Sequence, residues 1–248
     1  MTGQPHPEET LEAERVVAGA EREGVALRVT GGVGVALHCP SAQHPPLARH
    51  YADIDVVGRA NDRRGIAGVL VGLGYVADER FNAMYGASRL VFYDERHERK
   101  LDVFLDRIEM CHALDLRQRL LPGMVTLPLA DLLAMKLQIV ETNEKDLLDA
   151  TALLVDHDLT EDETGINVAY LASLTAADWG LWRTLTMIAE RVAEHASTLE
   201  GSIPGVVRQR VAALVERLDR EPKTRAWRMR ARIGERKRWY ELPEEADG

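Results

Sequence analysis

Three acidic residues sit where apolar strands are expected. Asp53 and Asp55 lie in Ala52-Asp53-Ile54-Asp55-Val56-Val57, and Asp102 lies in Leu101-Asp102-Val103-Phe104. A carboxylate among apolar strand residues is unfavourable unless a cation compensates it. A divalent metal carrying a phosphate-bearing substrate meets that need. Residues two apart on a strand face the same way, so Asp53 and Asp55 point together from α-carbons about 7 Å apart, while Ile54 and Val56 point into the core. If the strand of Asp102 pairs beside them, three carboxylates share one site. Such a set serves two metals about 3.5–4 Å apart in phosphoryl transfer, one holding the triphosphate and the other activating the attacking hydroxyl. Oxygen donors favour Mg2+ or Mn2+ over zinc.

The complement to these acids is Gly31-Gly32, just past the exit of the strand over 25–29. Two glycines let backbone N–H groups approach phosphate oxygens, and a helix N-terminus behind them adds a favourable partial charge. The pair is not a P-loop, because no Gly-Lys-Ser/Thr follows, and Val35 after Gly34 departs from a dinucleotide fingerprint. Arg49, just before the acidic pair, offers a fork suited to phosphate or carboxylate. Lys136 interrupts the apolar run Leu132-Leu133-Ala134-Met135-Lys136-Leu137, so its ammonium either snorkels to solvent, meets the triphosphate or pairs with Asp149. Asp146 and Asp149 are three apart on one helical face, which Lys145 does not share, and that spacing suits them to orient Lys136. His38, His44 and His50 have no metal-ligand spacing, and Trp179 and Trp182 read as core anchors.

The elements that must position these residues follow from hydrophobic period and punctuation. Leu11, Val16, Val17 and Ala20 mark a helix over 9–22 on the outside of the fold. Residues 25–29 read as a strand, and 33–37 as a short helix behind the glycines. Prolines 40, 45 and 46 make 39–50 a loop, whose segment 41–46 is an insert. Residues 53–57 form a strand, 61–73 a helix, and 88–94 with 100–105 a hairpin joined by a short charged turn. Residues 125–127 make a last edge strand. From Pro128 the pattern becomes helical: a first helix running to Glu141, a second over 144–157, then about 175–198, 204–219 and 222–238. The expected architecture is α+β, a small mixed β-sheet with flanking helices followed by a helical C-terminal region. The expected domains are a catalytic 1–127 and a helical 128–248.

With 248 residues and a net charge of -9, the chain is an ordinary globular length and acidic. The charge is uneven: residues 201–240 hold 12 Lys and Arg against 4 Asp and Glu, and the tail 244–248 turns acidic again. An acidic body disfavours broad DNA binding, which draws mainly on phosphate neutralisation, whereas a basic helical segment can meet nucleic acid or an acidic partner. No apolar run reaches the roughly 18 residues a membrane span needs, and the N-terminus has no basic start followed by an apolar stretch. Cys39 and Cys111 share no metal spacing, and a reducing cytoplasm is expected.

The segments TGGVGVAL, ARHYADIDVVG and KLDVFLD together resemble the nucleotidyltransferase superfamily, which includes DNA polymerase beta, aminoglycoside nucleotidyltransferases and the toxin halves of abortive-infection systems. The resemblance spans roughly 25–157. It implies that Gly31 and Gly32 contact the nucleotide's phosphates, that Asp53 and Asp55 are the principal metal ligands, and that Asp102 is the third carboxylate, assisting deprotonation of the acceptor. Arg49 matches an arginine preceding the acidic pair in both the aminoglycoside 2''-type and the AbiEii toxin-type branches. Lys136, Lys145, Asp146 and Asp149 match a lysine followed by a Lys-Asp-x-x-Asp element of the toxin type. Val33 stands where that branch usually has a hydroxyl residue.

The expected activity is Mg2+-dependent transfer of a nucleoside monophosphate from an NTP to a hydroxyl acceptor, with pyrophosphate released. RNA or a protein hydroxyl suits a toxin-like role, for which a cognate antitoxin would be a partner. An aminoglycoside-like small molecule suits the acidic body. A catalytically silent nucleotide- or partner-binding member is the third reading.

Overall fold

Strand residues 53–58 carry the alternation that organises the first half of the molecule. Ile54 and Val56 are fully buried, Asp53 is exposed and Asp55 half-buried. The computed structural model describes residues 4–242; the acidic tail 244–248 lies outside the described residues. The chain divides into two compact units. The first gathers the chain up to His38 with His50–Ile108 and Ala113–Leu127; the second takes Cys39–Arg49, Glu109–His112 and the chain from Pro128 onward.

In the first unit, α1 (Glu9–Arg22) leads into β1 (Leu27–Thr30), followed by α2 (Gly31–His38), β2 (Asp53–Gly58), α3 (Arg63–Gly72), β3 (Val76–Ala77), α4 (Glu79–Tyr85), β4 (Arg89–Asp94) and β5 (Arg99–Leu105). The sheet order is β1-β2-β5-β4-β3. It is mixed: β2 and β5 run parallel, while β1–β2, β5–β4 and β4–β3 are antiparallel. The register places Leu27 and Val29, Ile54 and Val56, Leu101 and Val103, and Leu90 and Phe92 on one face. These side chains form the core with Ala13, Val16, Val17 and Ala20 of α1 and Ile66, Val69 and Leu70 of α3. Each fully buried Leu, Ile or Phe contributes about 1.5–3 kcal/mol.

Several elements differ from the sequence expectations for local reasons. The helix behind the glycines begins at Gly31 itself, two residues early. Leu11 is exposed, and α1 buries Glu12 in its place, because Glu12 accepts from Arg15 at 2.7 Å and from Tyr75 at 2.6 Å. β3 and α4 carry no strong period; α4 is started by Asp78, whose Oδ1 accepts from the Phe81 N–H. The loop from Cys39 contains a 3-10 turn over Pro40–Gln43. Residues 125–127 contribute a parallel bridge rather than a strand, with Val29 N–H donating to Val125 and Leu127 N–H to Val29, both at 2.9 Å.

The second unit is helical: α5 (Leu129–Leu137), α6 (Glu144–Asp156), α7 (Val168–Ala177), α8 (Trp179–Ala196), α9 (Ile203–Arg220) and α10 (Arg225–Ile233). The first of these stops at Leu137 rather than Glu141. Fully buried Gln138 there accepts from the His112 N–H, and Val140 N–H turns to the Cys111 sulfur. Asp178 breaks the expected 175–198 helix by capping Gly180 and Leu181 N–H groups. α10 ends early because Gly234 takes φ +58°. Trp179 and Trp182 are packing anchors: Trp179 meets Trp239 edge-on at 5.9 Å and carries the Arg230 guanidinium at 4.6 Å, and Trp182 meets Trp227 at 5.3 Å. Both cysteines are buried and free. Among the described residues no helix is long and apolar enough to cross a membrane.

Candidate functional site

The face of the sheet opposite the core carries the charges. In the parallel pair β2–β5, Asp53 stands opposite Lys100, and Asp55 opposite Asp102. Thr30, last residue of β1, is the partner of Asp55 on the other side. Paired residues in a ladder share a face, so Thr30, Asp53, Asp55, Lys100 and Asp102 form one polar row across three strands. Burial deepens along the acids: Asp53 is exposed, Asp55 half-buried and Asp102 2% exposed.

Gly31 is fitted to this row. Its φ of +63° lies in the left-handed region, and a Cβ placed there would come within 2.1 Å of Asp55 Oδ2. A side chain at 31 would therefore displace the carboxylate, and glycine alone accommodates both the turn and the contact. Gly32 follows, half-buried, in the first turn of α2.

The hydroxyl of Thr30 is 2% exposed and has no hydrogen-bond partner among the described residues. A buried unpartnered hydroxyl costs about 1–3 kcal/mol unless a ligand or water takes it. The donor chemistry of Asp53, Asp55 and Thr30 is all oxygen, which suits a hard divalent cation or a hydrated phosphate. The third acid is differently engaged. Asp102 Oδ1 accepts from Arg89 Nε at 2.8 Å and Nη2 at 2.7 Å, and Lys100 Nζ lies 3.2 Å from Oδ2. Among the described residues no trio of His, Cys, Asp or Glu side chains is arranged to hold a metal ion. The residues thus suit a cation on Asp53 and Asp55, with Asp102 held by the protein's own cations.

The remaining candidates gather in the second unit. Arg49 grips Asp149 through two parallel bonds, Nε to Oδ1 at 2.8 Å and Nη2 to Oδ2 at 2.7 Å. Lys136 Nζ bridges Asp149 at 2.8 Å and Asp146 at 2.9 Å. Asn143 caps α6 by accepting from the Asp146 N–H, which fixes the helix start from which Asp146 and, one turn on, Asp149 project. Burial pushes the Lys136 ammonium down, but the charges of Asp149 and Asp146 and their hydrogen bonds override it, so it titrates above the ordinary lysine range. Lys145 is exposed and stands apart from this network.

Three residues of the polar face gave weaker signals in the sequence. Thr30 precedes the glycine pair and shows itself only through its unpartnered hydroxyl. Lys100 and Arg89 become visible by counting alternate positions on the hairpin, which sets 100 and 102 on one face with 89 on the neighbouring strand.

No family model matches the chain, and no curated protein matches it. Among solved structures, the antibiotic-resistance factor ANT(2'')-Ia, determined in solution, is similar at 12% identity and a TM-score of 0.40, over 75% of this chain and 96% of that one.

Proposed function

We propose that this chain is a nucleotidyltransferase that moves a nucleoside monophosphate from an NTP to a hydroxyl acceptor and releases pyrophosphate. The observation that carries the reading is the β2–β5 register, with Asp55 opposite Asp102 and Asp53 on the same face, beside the left-handed turn at Gly31. Mg2+ or Mn2+ on Asp53 and Asp55 would supply the positive charge that gathers a triphosphate. The chain's own contribution is positioning and electrostatics. Gly31 leaves room for the Asp55 carboxylate against the backbone, and the buried Thr30 hydroxyl offers a bond to an oxygen ligand. In the helical unit, Arg49, Asp149, Asp146 and Lys136 hold one another in fixed geometry, which supports a positioning role for Lys136 and the toxin-type branch of the superfamily.

The acceptor we favour is RNA. Arg225, Arg228 and Arg232 recur at helical spacing on α10 and are exposed. A stripe of this kind attracts a phosphate backbone and repels a polycationic small molecule.

The test is incubation of the full chain with each α-labelled NTP, Mg2+ and separate pools of total RNA, protein and aminoglycosides. Label should pass to the RNA pool, and Asp53→Asn and Asp55→Asn should each lower the rate by at least about 10²–10³-fold with unchanged melting temperature. Transfer to aminoglycosides instead would move the acceptor to the small-molecule class. Wild-type rates in both variants would overturn the assignment.

A further inference from the structure

The most buried acid of the polar face already has two cations, and those cations reach solvent. The side chains of Arg89 and Lys100 are 30% and 37% exposed, against 3% for Asp102. The Arg89 guanidinium is steadied by two rings, its carbon lying 5.7 Å from the Phe81 centroid and 5.0 Å from that of Phe104. Lys100 also stands opposite Asp53, and Arg89, opposite Phe104, lies on the same face of the sheet, so both cations border the acids. An ion cluster with one buried and two half-buried members is asymmetric. The half-buried cations change partners at modest cost, whereas the buried carboxylate needs a replacement cation if they leave. Phosphate oxygens suit the guanidinium fork and the ammonium at least as well as a carboxylate does.

We propose that Arg89 and Lys100 form a phosphate-binding site in which Asp102 stands in for the anion while no ligand is bound. A phosphate group that takes the two cations releases Asp102, which then joins Asp53 and Asp55 as a third oxygen donor for a divalent cation. The inference rests on the nucleotidyl-transfer reading, because it takes Asp53 and Asp55 as the cation's primary ligands. It makes phosphate and metal binding cooperative, since each displaces or recruits the same carboxylate, and linkage requires the effect to be reciprocal. It also accounts for a face on which three acids coexist while no three of them are arranged around an ion.

The first arm uses Mn2+ alone as the probe, its free signal followed by electron paramagnetic resonance with the full chain and no nucleotide. Arg89→Gln should tighten Mn2+ binding about tenfold. Asp102→Asn should leave wild-type affinity within about twofold, and adding it to Arg89→Gln should cancel the gain, as a double-mutant cycle requires. Arg89→Lys keeps the charge and should keep the weak wild-type affinity; melting curves verify that each variant is folded. The second arm titrates inorganic pyrophosphate into metal-free protein by calorimetry, where Arg89→Gln and Lys100→Gln should each weaken binding about tenfold. Unchanged Mn2+ affinity in folded Arg89→Gln overturns the proposal, and so does an Asp102→Asn loss as large as that of Asp55→Asn. Mn2+ affinity that is indifferent to Asp55→Asn fails the transfer reading instead, and the pyrophosphate arm then judges the anion site by itself.

Discussion

The carboxylate face of the sheet and the ion network of the helical unit use the same residue types and close their charges differently. In the helical unit, Arg49 and Lys136 balance Asp149 and Asp146, every member is at most 15% exposed, and Asp149 accepts from both cations. On the sheet face exposure rises from Asp102 out to Asp53, and the Thr30 hydroxyl has no hydrogen-bond partner among the described residues. A balanced buried network holds one geometry, and removing a member is costly. A graded one, open at Asp53, keeps oxygen donors within reach of solvent. Under the proposed function the first set holds the helical unit together, and the second offers oxygen donors to a ligand.

The sharpest way to break that contrast is Asp149→Ala, which removes the carboxylate that Arg49 and Lys136 share and leaves Lys136 with Asp146. It should cost about 3–5 kcal/mol in chemical denaturation; a loss below about 1 kcal/mol would mean that the helical network is no more closed than the sheet face. Next is Gly31→Ala, which combines a left-handed backbone with a Cβ inside the Asp55 carboxylate. It should cost about 1–3 kcal/mol and impair transfer beyond that loss, because Asp55 must move; full activity with normal stability would show that the contact is incidental. The mildest effect concerns pH. His112 is buried, its ring bonded to Thr184 Oγ1 at 2.8 Å, and burial pushes its pKa down against the weaker upward pull of Asp178. The unfolded chain therefore binds the proton more readily, and the stability His112 contributes is present above about pH 6.5 and lost as pH falls towards the depressed folded value. Melting temperature against pH should show this decline, and a folded His112→Gln variant should show a flatter profile.

Much of the sheet was legible because alternation is local. Ile54 and Val56 alternating with two aspartates, and Leu101 and Val103 around a third, define which face is core and which carries charge without any tertiary information. The partners of those charges were harder to read. That Asp102 meets Arg89 depends on the β4–β5 register, which a short charged turn permits in more than one form. Arg49 and Asp149 are a hundred positions apart, and no local period links a loop arginine to a helix face. The Lys136 pairing was easier, because an ammonium inside an apolar run needs an anion, and Asp146 and Asp149 share one face of the next helix. Glu12 misled for the converse reason: the residues that satisfy it include Tyr75, on the far side of β1, β2 and α3 in the sequence, so an exposed leucine beside it looked the better core residue.

The parallel pairing of β2 with β5 has a kinetic meaning as well. Asp53 and Asp55 take their relative places as soon as their strand is extended, but Asp102 joins them only after the chain has passed through α3, β3, α4 and β4 and returned. Parallel contacts of that separation bear the loop-closure entropy before they are rewarded, and they are among the slower ones to form. The complete carboxylate row is therefore a property of the whole unit and not of any short segment. A nascent chain cut short before β5 carries the acidic pair, the glycine turn and Arg89, yet holds neither the third acid nor Lys100.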